Sequence, residues 1–242
     1  MDKYQFLKEE ERLDYTLQTL NEEVLNYIEK RKEIANYILD YRKNFIEEHK
    51  DDEDALMEYF DHERYVKEEY YKQIDKKLME LTKLKETPYF GKVIFSDEDD
   101  CQEEIYVGRY GLTKDATFES IIIDWRAPIA SLFYKGSLGP TTYKTPDGEL
   151  SADILARRQF VIKKGSLQGY FDSEVDVKDE ILQMILSSNS GEKLKDIVMT
   201  IQQEQDDIIR EERMKVVVVN GVAGSGKTTI ALHRVAYLLY NY

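Results

Sequence analysis

The chain has 242 residues, 48 acidic and 34 basic, for a formal charge of -14 and a mean hydropathy of -0.58. At roughly 150 residues per domain this is one or two globular units, and 42% hydrophobic with 12% aromatic residues is enough to bury a core. The charge excludes bulk attraction to nucleic acid, so any such contact has to be built locally. One cysteine, Cys101, excludes an intrachain disulfide and argues against a cysteine-based zinc site; it fits a reducing, cytoplasmic setting. His49, His62 and His233 have no metal-ligand spacing. With no apolar leader and no run near the roughly 20 apolar residues that span a bilayer, no membrane role is expected.

Residues 3 to 86 contain neither glycine nor proline, and their apolar positions recur at helical spacing. Leu13, Leu17, Leu20, Val24, Tyr27, Ile34, Ile38, Tyr41 and Phe45 step by four and three, with Arg31 in the one polar slot. That is a heptad seam. HKDDED interrupts it, and a less regular set follows at Met57, Phe60, Tyr71, Ile74, Leu78 and Leu81, so an antiparallel coiled-coil hairpin is expected over 1–87. Its charge is concentrated at the far end. Between Glu47 and Glu63 nine acidic residues, Asp51, Asp52, Glu53 and Asp54 among them, face only Lys50. Charge runs of this kind are commonly just solvated loops.

From Thr87-Pro88 the texture turns to β-branched and aromatic runs (GKVIF, EEIYVGRYGL, SIIIDWRAPIASLFYK, RQFVIKKGSLQGYF) punctuated by Gly, Pro and Asp. A small antiparallel β region is expected over 88–175. Within it, Asp124-Trp125-Arg126 reads as an aromatic core anchor with an ion pair beside it, in preference to a base-stacking site. Arg157-Arg158 and Lys163-Lys164 form a modest basic cluster, read as surface.

The last unit is expected over 176–242: helical patterning returns from about 176, with a break near Ser187 to Gly191, and continues to about Arg213. Val216 to Val219 then reads as a central parallel strand buried on both faces. Gly221, Gly226, Lys227 and Thr228 satisfy G-x-x-x-x-G-K-[ST], and Thr229 to Tyr240 reads as an amphipathic helix. In such a loop glycines let successive N–H groups converge on a phosphate, and the helix N-terminus adds its positive end. Lys227 would neutralise β- and γ-phosphates, and Thr228 would complete a Mg²⁺ shell. Gly221, Val222, Ala223, Gly224, Ser225, Gly226, Lys227, Thr228 and Thr229 are the candidate ATP-Mg²⁺ site.

IQQEQ, GVAGSGKTT and ALHRVAYLLY together resemble the start of UvrD/Rep-type superfamily 1 helicases. In that family a Q motif precedes the Walker A loop, and the resemblance places Gln205 on the adenine edge. The long helical hairpin followed by PYFGKVIF and DWRAPIA is similar to the HelD, or helicase IV-like, branch. That resemblance implies a mixed α/β chain: hairpin, β region, then the beginning of a RecA-like helicase domain. It implies an ATP-driven factor that binds RNA polymerase through the hairpin and releases it from nucleic acid, with DNA engaged by the full-length motor. The acidic tip Asp51, Asp52, Glu53 and Asp54 would then enter the polymerase's secondary channel. No Walker B pair or arginine finger precedes Tyr242, so the chain reads as an N-terminal piece of the motor, inactive in hydrolysis by itself. The rival reading is a non-catalytic polymerase-binding module whose nucleotide site is vestigial; a free-standing P-loop enzyme of another family is disfavoured, because no catalytic acid follows the loop.

Overall fold

The computed structural model describes residues 3–48, 62–98, 100–135, 137–146, 148–172, 203–222 and 224–242. The glycine- and proline-free segment forms two helices, α1 (Lys3–Glu48) and α2 (His62–Leu84). Arg31 pairs with Asp75 at 2.8 Å, Arg42 with Glu68 at 2.8 Å, and Tyr37 donates to Glu63 at 2.5 Å, so α2 runs back along α1. The seam expected from spacing is only part of the covered face of α1, since Glu9, Thr16, Thr19 and Glu23 beside it are buried as well. Leu13 and Leu20 are buried; Leu17, Val24, Tyr27, Ile34, Ile38, Tyr41 and Phe45 are half-buried.

Burial fades outward because the sheet supports only the lower part of the helices. Arg12 donates to the Ile121 carbonyl at 3.1 Å, Lys77 to that of Gly111 at 3.0 Å, and Lys30 meets Asp115 at 2.6 Å. From Arg31 to the end of α1, about 27 Å at 1.5 Å per residue, Arg31, Tyr37 and Arg42 all pair with α2. The acidic tip, Asp51 to Asp54, lies outside the described residues.

The sheet comprises β1 (Gly91–Ser96), β2 (Gln102–Gly108), β3 (Leu112–Lys114), β4 (Glu119–Asp124), β5 (Gly139–Thr145), β6 (Gly148–Lys163) and β7 (Ser166–Asp172). Their order is β3-β4-β2-β1-β6-β5, with β7 also on β6. The expectation of an antiparallel region needs one correction: β2 and β4 are parallel, with Val107 opposite Ile123 and Gly108 opposite Asp124. The chain leaves β2, forms β3 on the outside, and turns back to place β4 in between. Pairing between non-adjacent strands is set by where the intervening chain goes, which alternation of side chains does not encode.

Each face of the sheet buries one apolar cluster. Leu13, Leu20, Leu81 and Leu84 from the helices cover Tyr89, Tyr106, Ile121, Ile122, Phe160 and Leu167. On the other face Val93, Phe95, Ile105, Val107 and Ile154 pack under Trp125, a short turn (Pro128–Ala130), α3 (Ser131–Tyr134), α4 (Gln203–Ile209) and α5 (Lys227–Asn241). Among the described residues, no helix is long and apolar enough to cross a membrane.

A charged hub fixes α1 to the first face. Glu9, 1% exposed, accepts from Lys92 at 3.3 Å, Arg158 at 2.8 Å and the Tyr106 hydroxyl at 3.0 Å. Lys92 also meets Glu104 at 2.8 Å, and Arg158 meets Asp172 at 2.6 Å. Arg157 donates to the Phe133 carbonyl at 3.1 Å and to that of Lys135. The arginine pair read as surface is therefore structural. Two positive groups around one carboxylate let charges lie where none could be buried alone.

Candidate nucleotide-binding site

The phosphate-loop motif sits at the head of α5. Gly224 and Gly226 have φ of 84° and 80°, the left-handed region that glycine enters without steric cost. Gly226 caps the helix, and the Ile230 amide bonds back to its carbonyl at 2.9 Å. At Gly221 a side chain would stand 2.6 Å from Ser225 Oγ, so a substitution there requires the serine to turn away. The first amides of a helix have no intrahelical acceptor and carry the positive end of the dipole.

Lys227 folds over this turn. Its Nζ donates to the carbonyls of Gly221 at 2.9 Å and Val222 at 2.7 Å, and lies 3.5 Å from Ser225 Oγ. Ser225 closes the turn by donating its amide to the Val222 carbonyl at 3.2 Å. Thr228 is exposed at the helix start, and Thr229 is half-buried. Glycines, ammonium and hydroxyl thus meet within one turn, a donor set that fits a phosphate with its cation. Ala223 lies outside the described residues. Among the described residues, no group of three or more His, Cys, Asp or Glu could hold a metal ion by itself.

The strand expected before the loop is absent. Residues 211–222 hold neither helix nor strand, and Val216 and Val218 are 77% and 80% exposed. A strand exists through its ladder, and none of the described strands pairs with this run. The helix before it also ends earlier than expected, at Ile209 and not near Arg213. On α5 Leu239 is 80% exposed, whereas Leu238 packs against the core.

Gln205 is half-buried on α4, four residues before a tightly held end at Ile209. Arg234 of α5 donates to the carbonyls of Ile208 at 2.7 Å and Ile209 at 3.4 Å, caring for acceptors a helix end leaves unpaired. Arg210 pairs with Asp206 at 2.8 Å and donates to the carbonyls of Trp125 at 2.6 Å and Ala127 at 3.1 Å. Burial holds the Asp206 carboxyl above the usual range, with Arg210 pulling the other way. The sequence reading passed over Arg210 and Arg234. The Asp206/Arg210 spacing of four was a legible signal; donation to distant carbonyls has none.

Trp125 is the core anchor expected of it, 4% exposed, and Arg126 grips Asp124 through Nε at 2.8 Å and Nη2 at 2.6 Å. The indole meets the His233 ring edge-on at 5.4 Å. The His233 Nδ1–H donates to the Thr229 carbonyl at 2.9 Å, and burial lowers its pKa against the opposing effect of that bond. Elsewhere a cleft of about 360 Å³ opens beside Glu9, but its buried cations Lys92 and Arg158 are already paired.

A long N-terminal helix with a second helix paired along it, both on one face of a mixed sheet, and shorter helices on the other face define a mixed α/β class of protein. Residues 6–184 match the family described as DNA helicase IV HelD, N-terminal domain, and the chain belongs to that family. No curated protein matches the chain.

Proposed function

We propose that this chain is the N-terminal part of a HelD-type superfamily 1 motor, in which the loop from Gly221 to Thr229 holds ATP-Mg²⁺ and the helical hairpin engages RNA polymerase to release it from nucleic acid. The observation that carries the reading is the turn at Gly224–Lys227: two left-handed glycines and a lysine at the head of a 15-residue helix, in a chain of this family. Bound ATP-Mg²⁺ would supply the phosphoanhydride whose hydrolysis drives a motor. The chain's own part is to receive it. Amides at the start of α5 converge on phosphate oxygens, and Lys227 exchanges two carbonyls for anionic oxygens, a stronger charge-assisted pairing. The Thr228 hydroxyl is exposed where it can join the shell of a cation, and Gln205 takes the adenine edge. Asp51 to Asp54 form the tip offered to the polymerase.

A second reading is favoured by a specific observation. Lys227 is already satisfied by the Gly221 and Val222 carbonyls, and the valines before the loop are exposed, the arrangement of a binding module with a vestigial nucleotide site. Mg-ATP titration with thermal melting separates the two. A rise in Tm that disappears in Lys227→Ala supports the motor reading, since a ligand that binds only the folded state stabilises it by RT ln(1 + [L]/Kd). No rise at 100 times any plausible working Kd leaves the module. Capture of core RNA polymerase that survives Lys227→Ala but weakens when Asp51, Asp52, Glu53 and Asp54 are neutralised supports the hairpin's role; unchanged capture removes the tip from it.

A further inference from the structure

The seven-residue helix α4 is far below the roughly 12 to 15 residues at which a helix holds itself in water, so its position is imposed by what it touches. Ile209, buried in the core, and Arg234 of α5 hold it, and so does Arg210, the residue that follows it. The Arg210 guanidinium, 11% exposed, meets Asp206 and three successive carbonyls: Trp125 at 2.6 Å, Ala127 at 3.1 Å and, more loosely, Arg126 at 3.5 Å. It also lies 5.2 Å over the Tyr237 ring and 5.8 Å over that of Tyr134.

The carbonyls form a preorganised socket. Asp124 Oδ1 accepts from the Arg126 amide at 2.9 Å, its main-chain oxygen accepts from the Ala127 amide at 2.9 Å, and its carboxylate takes both arms of Arg126. The Trp125 amide is anchored on the Gly108 carbonyl at 2.9 Å, so the socket is welded to the end of β2. The same loop receives α5: Arg126 stacks 4.6 Å over Tyr240, and Asn241 donates to the Arg126 carbonyl at 3.4 Å. Two helices that carry the candidate base and phosphate contacts are thus registered against each other by one loop of the sheet.

We infer that Arg210 is a positioning residue of the nucleotide site, which seats the Gln205 helix in the carbonyl socket of residues 125–127 and so sets discrimination of the base, leaving phosphate binding to α5. The inference rests on the proposed role of Gln205 and of the loop. A lysine keeps the charge opposite Asp206 but lacks the planar fork that reaches several carbonyls at once. Only the fork is then tested, without stranding the buried carboxyl.

The experiment is calorimetric titration of the 242-residue chain with Mg-ATP, Mg-GTP and Mg-tripolyphosphate, for wild type, Gln205→Ala and Arg210→Lys. Wild type is expected to prefer ATP over GTP at least tenfold, and Gln205→Ala to bring the ratio near one. Arg210→Lys should bring the ratio within threefold while tripolyphosphate affinity changes less than twofold. A folded Arg210→Lys that keeps the wild-type ratio, or weakens all three ligands equally, overturns the positioning role alone. A wild type that binds no nucleotide, or takes ATP and GTP equally, overturns the reading of the site and this inference with it. Should Arg210→Lys fail to fold, Asp206→Asn decides: a fall in the ATP to GTP ratio supports the role, and an unchanged ratio overturns it.

Discussion

Ile121-Ile122-Ile123 and Val216-Val217-Val218-Val219 are nearly equivalent as sequence, β-branched runs bounded by polar residues, yet they have opposite fates. The first lies in β4, between β3 and β2, with Ile121 and Ile122 each 1% exposed under the base of α1. The second forms no strand and leaves Val216 and Val218 more than three-quarters exposed. Composition supplies only the capacity to extend. A neighbouring edge to bond with and an apolar layer to pack against turn that capacity into structure, since apolar area is stabilising only when removed from water.

The contrast can be broken most forcefully at Glu9. Replacing it by alanine leaves Lys92 and Arg158 buried without their common carboxylate and loosens the helix that covers Ile121 and Ile122. Removing one partner of a buried ion pair costs about 3–5 kcal/mol, and chemical denaturation of Glu9→Ala should read a loss in that range. A loss below about 1 kcal/mol would mean that α1 is held by its leucines alone. A smaller and more direct test compares Ile122→Ala with Val218→Ala. The buried site should lose about 2–5 kcal/mol and the exposed one less than about 0.5, measured on the same denaturation curves. Equal losses would show Val218 to be packed in solution.

The mildest test uses acid. Burial lowers the His233 pKa in the folded state, so that state prefers the neutral ring. Its contribution is therefore intact above the ordinary imidazole pKa of about 6.5 and is lost as the pH falls through that value toward the folded one. Stability should drop as the pH falls below about 6.5, and His233→Asn should flatten that part of the profile. An unaltered slope would place the titrating group elsewhere.

The two faces of the sheet also differ in how much could be read in advance. The seam of α1 was legible because period and burial coincide along one helix, and the loop at Gly221–Thr229 because its glycines and lysine are contiguous. Glu9 was not. In KEEERLDY it is one acid among several, and only the approach of Lys92 and Arg158 from distant strands singles it out. Arg157-Arg158 misled for the same reason: charge suggests water, and the compensating acceptors, Glu9, Asp172 and two carbonyls, come from elsewhere in the chain.

By itself the sequence determined what is local: two long helices without a breaker, the β-rich segment between Thr87 and Asp172, and the tight turn at the head of α5. Such features depend on backbone propensity and short-range spacing. Tertiary structure alone decided the parallel pairing of β2 with β4, the burial of the Glu9 hub, the carbonyl socket around Arg210 and the exposure of Val216 to Val219. Each of these depends on which distant groups arrive to supply a hydrogen bond, a counter-charge or an apolar cover, and desolvation makes that arrival the difference between a buried partner and a solvated side chain.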